Sequence, residues 1–128
     1  MKQLKSICLV THNVPRLRTF YEAVLQREGE GDDVFVAFVP AGIGLCLYAA
    51  QGMETLAPGS MVGAGAGSAV IEFQVEDVDG EYARLMGLGV PIVKPPTTQP
   101  WGLRSVWFRD PDGNIVNYYA PVGEAVGA

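Results

Sequence analysis

The 128-residue chain is written twice over. In its first half "SICLVTHNV" leads into "PRLRTFYEAVL", and in its second half "VIEFQVEDV" leads into "DGEYARLMGLGV". Each pair reads as a strand followed by a helix. Asn13 and Asp77 stand at the two junctions, where a short side-chain oxygen can accept an orphan backbone N–H of the helix. Pro15 suits the first turn, where its missing N–H is not needed. Leu17, Phe20, Tyr21, Val24 and Leu25 recur at helical spacing and mark one buried face. Val78, Tyr82, Leu85 and Met86 do the same in the second helix, and Gly89 is expected to end it in the left-handed conformation. After each helix the pattern predicts three short strands. They fall near "QREGE", "DVFVAFV" and "IGLCLYA" in the first half and near "PIVKP", "LRSVWFR" and "NIVNYYA" in the second. A turn joins the last two of each set, "PAG" or "DPDG", and Asp110-Pro111-Asp112-Gly113 suits a type I turn. Both halves therefore read βαβββ, and such units bury their apolar faces together rather than alone.

The boundaries expected from this pattern are module one over 1–52, a linker over 53–67, module two over 68–122 and a tail over 123–128, all within a single domain spanning 1–128. The linker contains "GAGAGS" at 63–68 and room for one short helical turn. A strand and not a helix follows those glycines, so they lack the helix N-terminus of a phosphate-binding loop.

Net charge is -5, with no Lys/Arg cluster, which argues against nucleic acid and against an anionic membrane surface as partner. No apolar run is long enough for a transmembrane helix. The N-terminal "MKQLKSICLV" runs straight into a strand without a signal-peptide pattern, so a cytoplasmic protein is expected. Cys8 and Cys46 lie in strand-like runs without metal-type spacing and read as small buried hydrophobes.

The segments "FYEAVL", "FQVEDVDGEYARL" and above all "WGLRSVWFRDPDGNIVNYYAP" resemble those of the vicinal oxygen chelate superfamily. That superfamily contains glyoxalase I, extradiol dioxygenases, and fosfomycin- and bleomycin-resistance proteins. The resemblance covers nearly the whole chain. It implies an α+β fold in which two βαβββ modules form a curved mixed sheet around a cleft. It also implies a homodimer, and in the family's enzymes one divalent metal on inward-facing His, Glu or Gln side chains. Such an ion acts as a Lewis acid with open coordination positions.

By that resemblance, the ligand in a module's first strand lies seven residues before the helix cap. The ligand in its last strand lies four residues after the hairpin glycine. The four positions here are Ser6, Cys46, Val70 and Asn117. None is His or Glu, and this set is a poor holder of a divalent ion. No metal cofactor is therefore expected, unless the register differs from this count. His12, the only histidine, falls at the far end of its strand.

Strand alternation then names a cleft face. It offers Ser6, Cys8 and Val10, then Val70, Glu72 and Gln74, then Cys46 and Tyr48, then Asn117 and Tyr119. Trp101 in "QPWG" is placed over the mouth, and Arg104 is turned inward, with Trp107 on the opposite face. The expected ligand-binding residues are thus Ser6, Cys46, Tyr48, Glu72, Gln74, Trp101, Arg104, Asn117 and Tyr119. Glu72 is the one candidate for a catalytic base. Aromatic rings with a few polar groups suit a small aromatic organic ligand. The leading expectation is a metal-free drug- or metabolite-binding protein of the bleomycin-resistance kind. The alternative is a metal-dependent lyase or dioxygenase of the glyoxalase family with displaced ligands. A third is a dimer whose cleft only its partner fills.

Overall fold

The computed structural model describes residues 2–39, 42–65 and 67–122. Pro40 and Ala41 of the "PAG" turn, Ala66 of the linker and the tail 123–128 lie outside the described residues. The elements are β1 (Ser6–Thr11), α1 (Val14–Leu25), β2 (Glu30–Gly31), β3 (Phe35–Phe38), β4 (Gly44–Ala49), α2 (Ala50–Leu56), β5 (Val70–Gln74), α3 (Val78–Gly87), β6 (Ile92–Thr98), β7 (Leu103–Arg109) and β8 (Ile115–Pro121). The helical turn expected in the linker is thus a seven-residue helix that begins at Ala50, before the linker's expected start. The chain divides into two compact units, residues 1–66 and 67–128. Each contains one four-stranded mixed sheet, ordered β1-β4-β3-β2 in the first and β5-β8-β7-β6 in the second. The class is α+β and the architecture is the expected pair of βαβββ modules.

Each module closes in the same way. The strand before the helix lies parallel to the last strand, β1 on β4 and β5 on β8, while the hairpin pairs are antiparallel. The helix crosses back over one face and covers it. In module one Leu17, Tyr21 and Val24 of α1 are buried, as are Val36, Phe38, Leu45 and Leu47 of the sheet. Phe20 and Leu25, expected on the same helix face, are only half-buried. In module two Val78 and Leu85 of α3 are buried, and so are Val106, Phe108, Val116 and Tyr118. Phe73 and Phe108 meet Tyr118 edge-on at 5.8 and 5.0 Å between ring centroids. Burial pushes the Tyr118 hydroxyl pKa far up, so it stays neutral. Met86, expected to be buried, is exposed.

The helix ends follow the caps. Asn13 Oδ1 accepts from Arg16 N at 3.1 Å, and Asp77 Oδ1 from Gly80 N at 3.0 Å. At the end of α3, Val90 N donates to Leu85 O and Gly89 N to Met86 O, with Gly89 at φ 73. That pair of bonds is the Schellman arrangement, which satisfies carbonyls the helix would otherwise leave open.

Strand β6 runs through Pro95 and Pro96, which lack the N–H a central strand needs. It is accordingly the edge strand, with register shifts on both sides of Lys94. The β7–β8 hairpin is locked by the buried side chain of Asp110. Its Oδ1 accepts from Asp112 N and Asn114 N, each at 2.9 Å, and its Oδ2 accepts from Asn114 Nδ2 at 2.8 Å. Asn114 Oδ1 in turn accepts from Ala69 N at the start of β5. Gly113 at φ 96 then lets the chain enter β8. Arg104 of β7 reaches Asp79 of α3 through two bonds of 2.9 and 2.8 Å and ties helix to sheet.

Asp110→Ala should therefore destabilise the fold by about 2–3 kcal/mol in urea unfolding, since it strands buried donors rather than merely losing bonds. Four carboxyls are held below their ordinary range. Glu22 is lowered first by the Gly29 N–H and then by Arg18. The Val34 N–H lowers Asp32, the Gly59 N–H lowers Glu54, and the Arg104 guanidinium lowers Asp79. Because these folded values are depressed, their stabilisation is full above the unfolded carboxyl range of about 4 and is lost as pH falls through the lowered values. Urea midpoints should fall below about pH 4, and Asp79→Asn should flatten part of that fall.

Candidate functional site

Strand alternation gives the module-two sheet one face toward α3 and one open face. The ladder sets Glu72 beside Asn117, and Asn117 beside Trp107. Gln74 lies beside Tyr119, and Tyr119 beside Ser105. On this open face a cavity of about 140 Å³ is lined by Glu72, Gln99, Trp101, Leu103, Ser105, Trp107, Asn117 and Tyr119. Its size is near the ~150 Å³ that holds one benzene-sized ring inside a protein.

The polar groups of this cavity are only partly satisfied. Asn117 Nδ2 donates to Glu72 Oε2 at 3.0 Å, which fixes the orientation of the amide. The other end, Asn117 Oδ1, is buried without a hydrogen-bond partner, and so is Trp107 Nε1. These are one unused acceptor and one unused donor on residues that face each other across β7 and β8. Lys94 Nζ lies 5.8 Å from the Trp107 ring centroid, a cation–π distance, and so flanks the cavity from the edge strand. Trp101, in the turn before β7, is 71% exposed and forms part of the cavity wall.

Four of the residues expected from sequence come together here: Glu72, Trp101, Asn117 and Tyr119. Gln74 is on the same face but does not line the cavity. Arg104 does not face inward. Its guanidinium is on the α3 side, bound to Asp79 and to Thr98 Oγ1. Trp107 holds the inward position that the sequence reading gave to Arg104. The signal for this was in the chain: the 110–113 turn sets Arg109 opposite Ile115, which puts Trp107 opposite Asn117. Ser105 follows by alternation. Gln99, Leu103 and Lys94 depend on the course of the loop and of the proline-shifted edge, which no periodicity reports.

The remaining expected residues lie in module one. Ser6 is exposed and pairs with Gly44, and Cys46 is buried beside Cys8. Tyr48 packs edge-on against Phe35 at 5.6 Å. It also lines a larger cavity of about 640 Å³ with His12, Asp33, Gln51 and Thr55, at the ends of β1 and β4. That cavity is the roomier of the two. Among the described residues its lining carries no unpartnered buried polar atom, so size and chemistry point to different places, and the chemistry carries more weight.

A divalent ion of the family's kind does not fit the four positions. Ser6 and Asn117 offer neutral oxygens, Val70 offers nothing, and Cys46 is a single thiol. Among the described residues no three His, Cys, Asp or Glu side chains converge. No helix of the described residues is long and apolar enough to cross a membrane.

Solved structures share the fold over almost the whole chain. A glyoxalase/bleomycin resistance protein/dioxygenase from Nocardioides matches with TM-score 0.80 and 23% identity, covering 95% of this chain and 85% of that one. A family enzyme from Burkholderia phytofirmans PsJN matches with TM-score 0.82 and 14% identity, covering 94% and 100%. A lactoylglutathione lyase from Agrobacterium tumefaciens matches with TM-score 0.76 and 22% identity, covering 94% of each chain. Among curated proteins, YraH of Bacillus subtilis (strain 168) is 41% identical over 51 residues, which is 39% of this chain and 40% of that protein. The matched stretch thus spans about two fifths of that relative. The profile of the Glyoxalase/Bleomycin resistance protein/Dioxygenase superfamily matches residues 3–118, and the chain belongs to that superfamily.

Proposed function

We propose that the protein binds a small planar aromatic compound in the module-two cavity, without a divalent metal. The observation that carries this reading is the pair of buried, unpartnered atoms, Trp107 Nε1 and Asn117 Oδ1, in a cavity of one-ring size. Buried polar atoms without partners are costly, and native folds keep few of them. A ligand with an acceptor beside a donor would satisfy both atoms at once. Trp101 and Tyr119 supply stacking faces, and Glu72 holds the Asn117 amide in one orientation. In this reading Glu72 orients and is not a catalytic base. The alternative, a lyase or dioxygenase, would need a Lewis acid that these side chains do not fit.

We further propose a cytoplasmic homodimer. The support for association is β1, an edge strand, with the exposed apolar side chains Leu4, Ile7, Val39 and Ile43 near its start. The support for a reducing compartment is the low cysteine count, two in 128 residues, without the disulfide framework of small secreted domains.

The chain's two tryptophans both line the cavity, so intrinsic fluorescence reports directly on it. A panel of planar heteroaromatic compounds should contain members that quench this fluorescence and raise the melting temperature. For such a compound, Trp107→Phe should weaken binding roughly fivefold, the value of one hydrogen bond of about 1 kcal/mol. The free protein loses no hydrogen bond by that change. Arg104→Gln should leave affinity unchanged. A panel without any binder, or a Trp107→Phe variant that binds as tightly, would overturn the reading. So would stoichiometric Zn, Ni, Mn or Fe in the purified protein with function lost on chelation. Light scattering should give about 27 kDa, twice the 13.7 kDa chain; a mass of one chain at micromolar concentration would remove the dimer.

A further inference from the structure

Module one has two thiols where module two has Glu72 and Asn117. Cys8 precedes the cap Asn13 by the same interval that separates Glu72 from the cap Asp77. Cys46 follows Gly42 as Asn117 follows Gly113. The β1–β4 ladder makes Cys8 and Cys46 direct partners, as β5–β8 does for Glu72 and Asn117. Both side chains therefore leave the same face of the sheet. They are the chain's only cysteines, and neither is in a disulfide. The Cys8 thiol is pushed above its ordinary range, first by desolvation and second by the nearby Cys46. Cys8 as a residue is nonetheless exposed, which leaves a path to the pair, while Cys46 is buried. The neighbours across and along the ladder are small at two points, Ala37 opposite Cys46 and Gly44 two residues before it.

The spacing of the strands decides what such a pair can do. Neighbouring strands lie about 4.8 Å apart. A disulfide needs its Cβ atoms at about 3.8 Å, closer than Cα–Cβ bonds leaving two neighbouring strands on one face hold them, so it would require the ladder from Ser6 to Thr11 to give locally. A sulfur–metal–sulfur bridge spans roughly 4–5 Å, taking the zinc–sulfur bond of about 2.3 Å as a guide to metal–thiolate lengths. That matches the strand spacing with neither strand moved. Two thiolates are too few for Zn(II), which takes four ligands in closed sites, but they suit a soft ion content with two sulfurs.

We infer that Cys8 and Cys46 form a site for one soft, thiophilic ion, Cu(I), held by two thiolates across the β1–β4 ladder. Each thiol releases one proton on binding, and the ion keeps its oxidation state. The site is independent of the module-two cavity.

The test is an anaerobic titration of the reduced protein with Cu(I) against a chromophoric Cu(I) chelator. One ion should bind per chain and protect both thiols from a thiol-labelling reagent, and copper X-ray absorption should show two sulfur neighbours. Cys8→Ser is a change at an exposed position and should keep the fold by circular dichroism. It should lower Cu(I) affinity by at least about 100-fold, since even the partners that merely orient a ligand are worth 10–100-fold. Cys46→Ser should do the same. A Cys8→Ser affinity within tenfold of the parent, two ions per chain, or one ion shared by two chains would each overturn the site.

Discussion

The parallel pairing of a module's first strand with its last is the contact on which the rest depends. A helix must carry the chain back to make it, so one face of each sheet is covered and the other is left open. The covered face takes the core, Leu17 and Tyr21 over Phe38 and Leu47 in module one, Val78 and Leu85 with Phe108 and Tyr118 in module two. The open face takes the chemistry. Pairing β5 with β8 brings Glu72 to Asn117, and pairing β1 with β4 brings Cys8 to Cys46. Neither contact exists within a hairpin, and both join residues roughly forty apart in the chain.

The same frame is specialised differently in its two halves. In module two, the open face has aromatic walls, an amide fixed by a carboxylate, and two polar atoms left without partners. The free protein bears the cost of those two atoms. In module one, the corresponding positions are soft sulfur atoms, and the larger cavity lies off to the end of the strands. The surrounding scaffold is conventional in both: capped helices, a hairpin closed by a buried carboxylate, and prolines confined to an edge strand.

Much of the fold was legible from residues close together in sequence. Asn13 and Asp77 cap their helices because a cap is a local hydrogen bond. Strand β7 has the bounds of "LRSVWFR", because alternation and a defined turn frame it. Elements whose limits depend on tertiary packing were less legible. Helix α2 starts earlier than composition suggests, β2 is only two residues long, and β6 continues through two prolines as the edge of its sheet. Alternation and loop position account for Glu72, Asn117, Tyr119 and Trp101 meeting at one cavity. Arg104, expected inward, is on the α3 side, because its register from the hairpin turn sets it one face away. The same register turns Trp107 toward Asn117.

The sequence by itself determined the repeat, the caps, the turn, the superfamily resemblance, and the absence of His and Glu at the four ligand positions. Each of these is written in residue type and short-range spacing. Only the tertiary structure decided that Trp107 and Asn117 share a cavity with unused hydrogen-bonding atoms, and that two cysteines with no metal-like spacing are neighbours. The physical reason is that ladder register and edge irregularities are set by contacts between distant strands, where spacing along the chain reports nothing about distance in space.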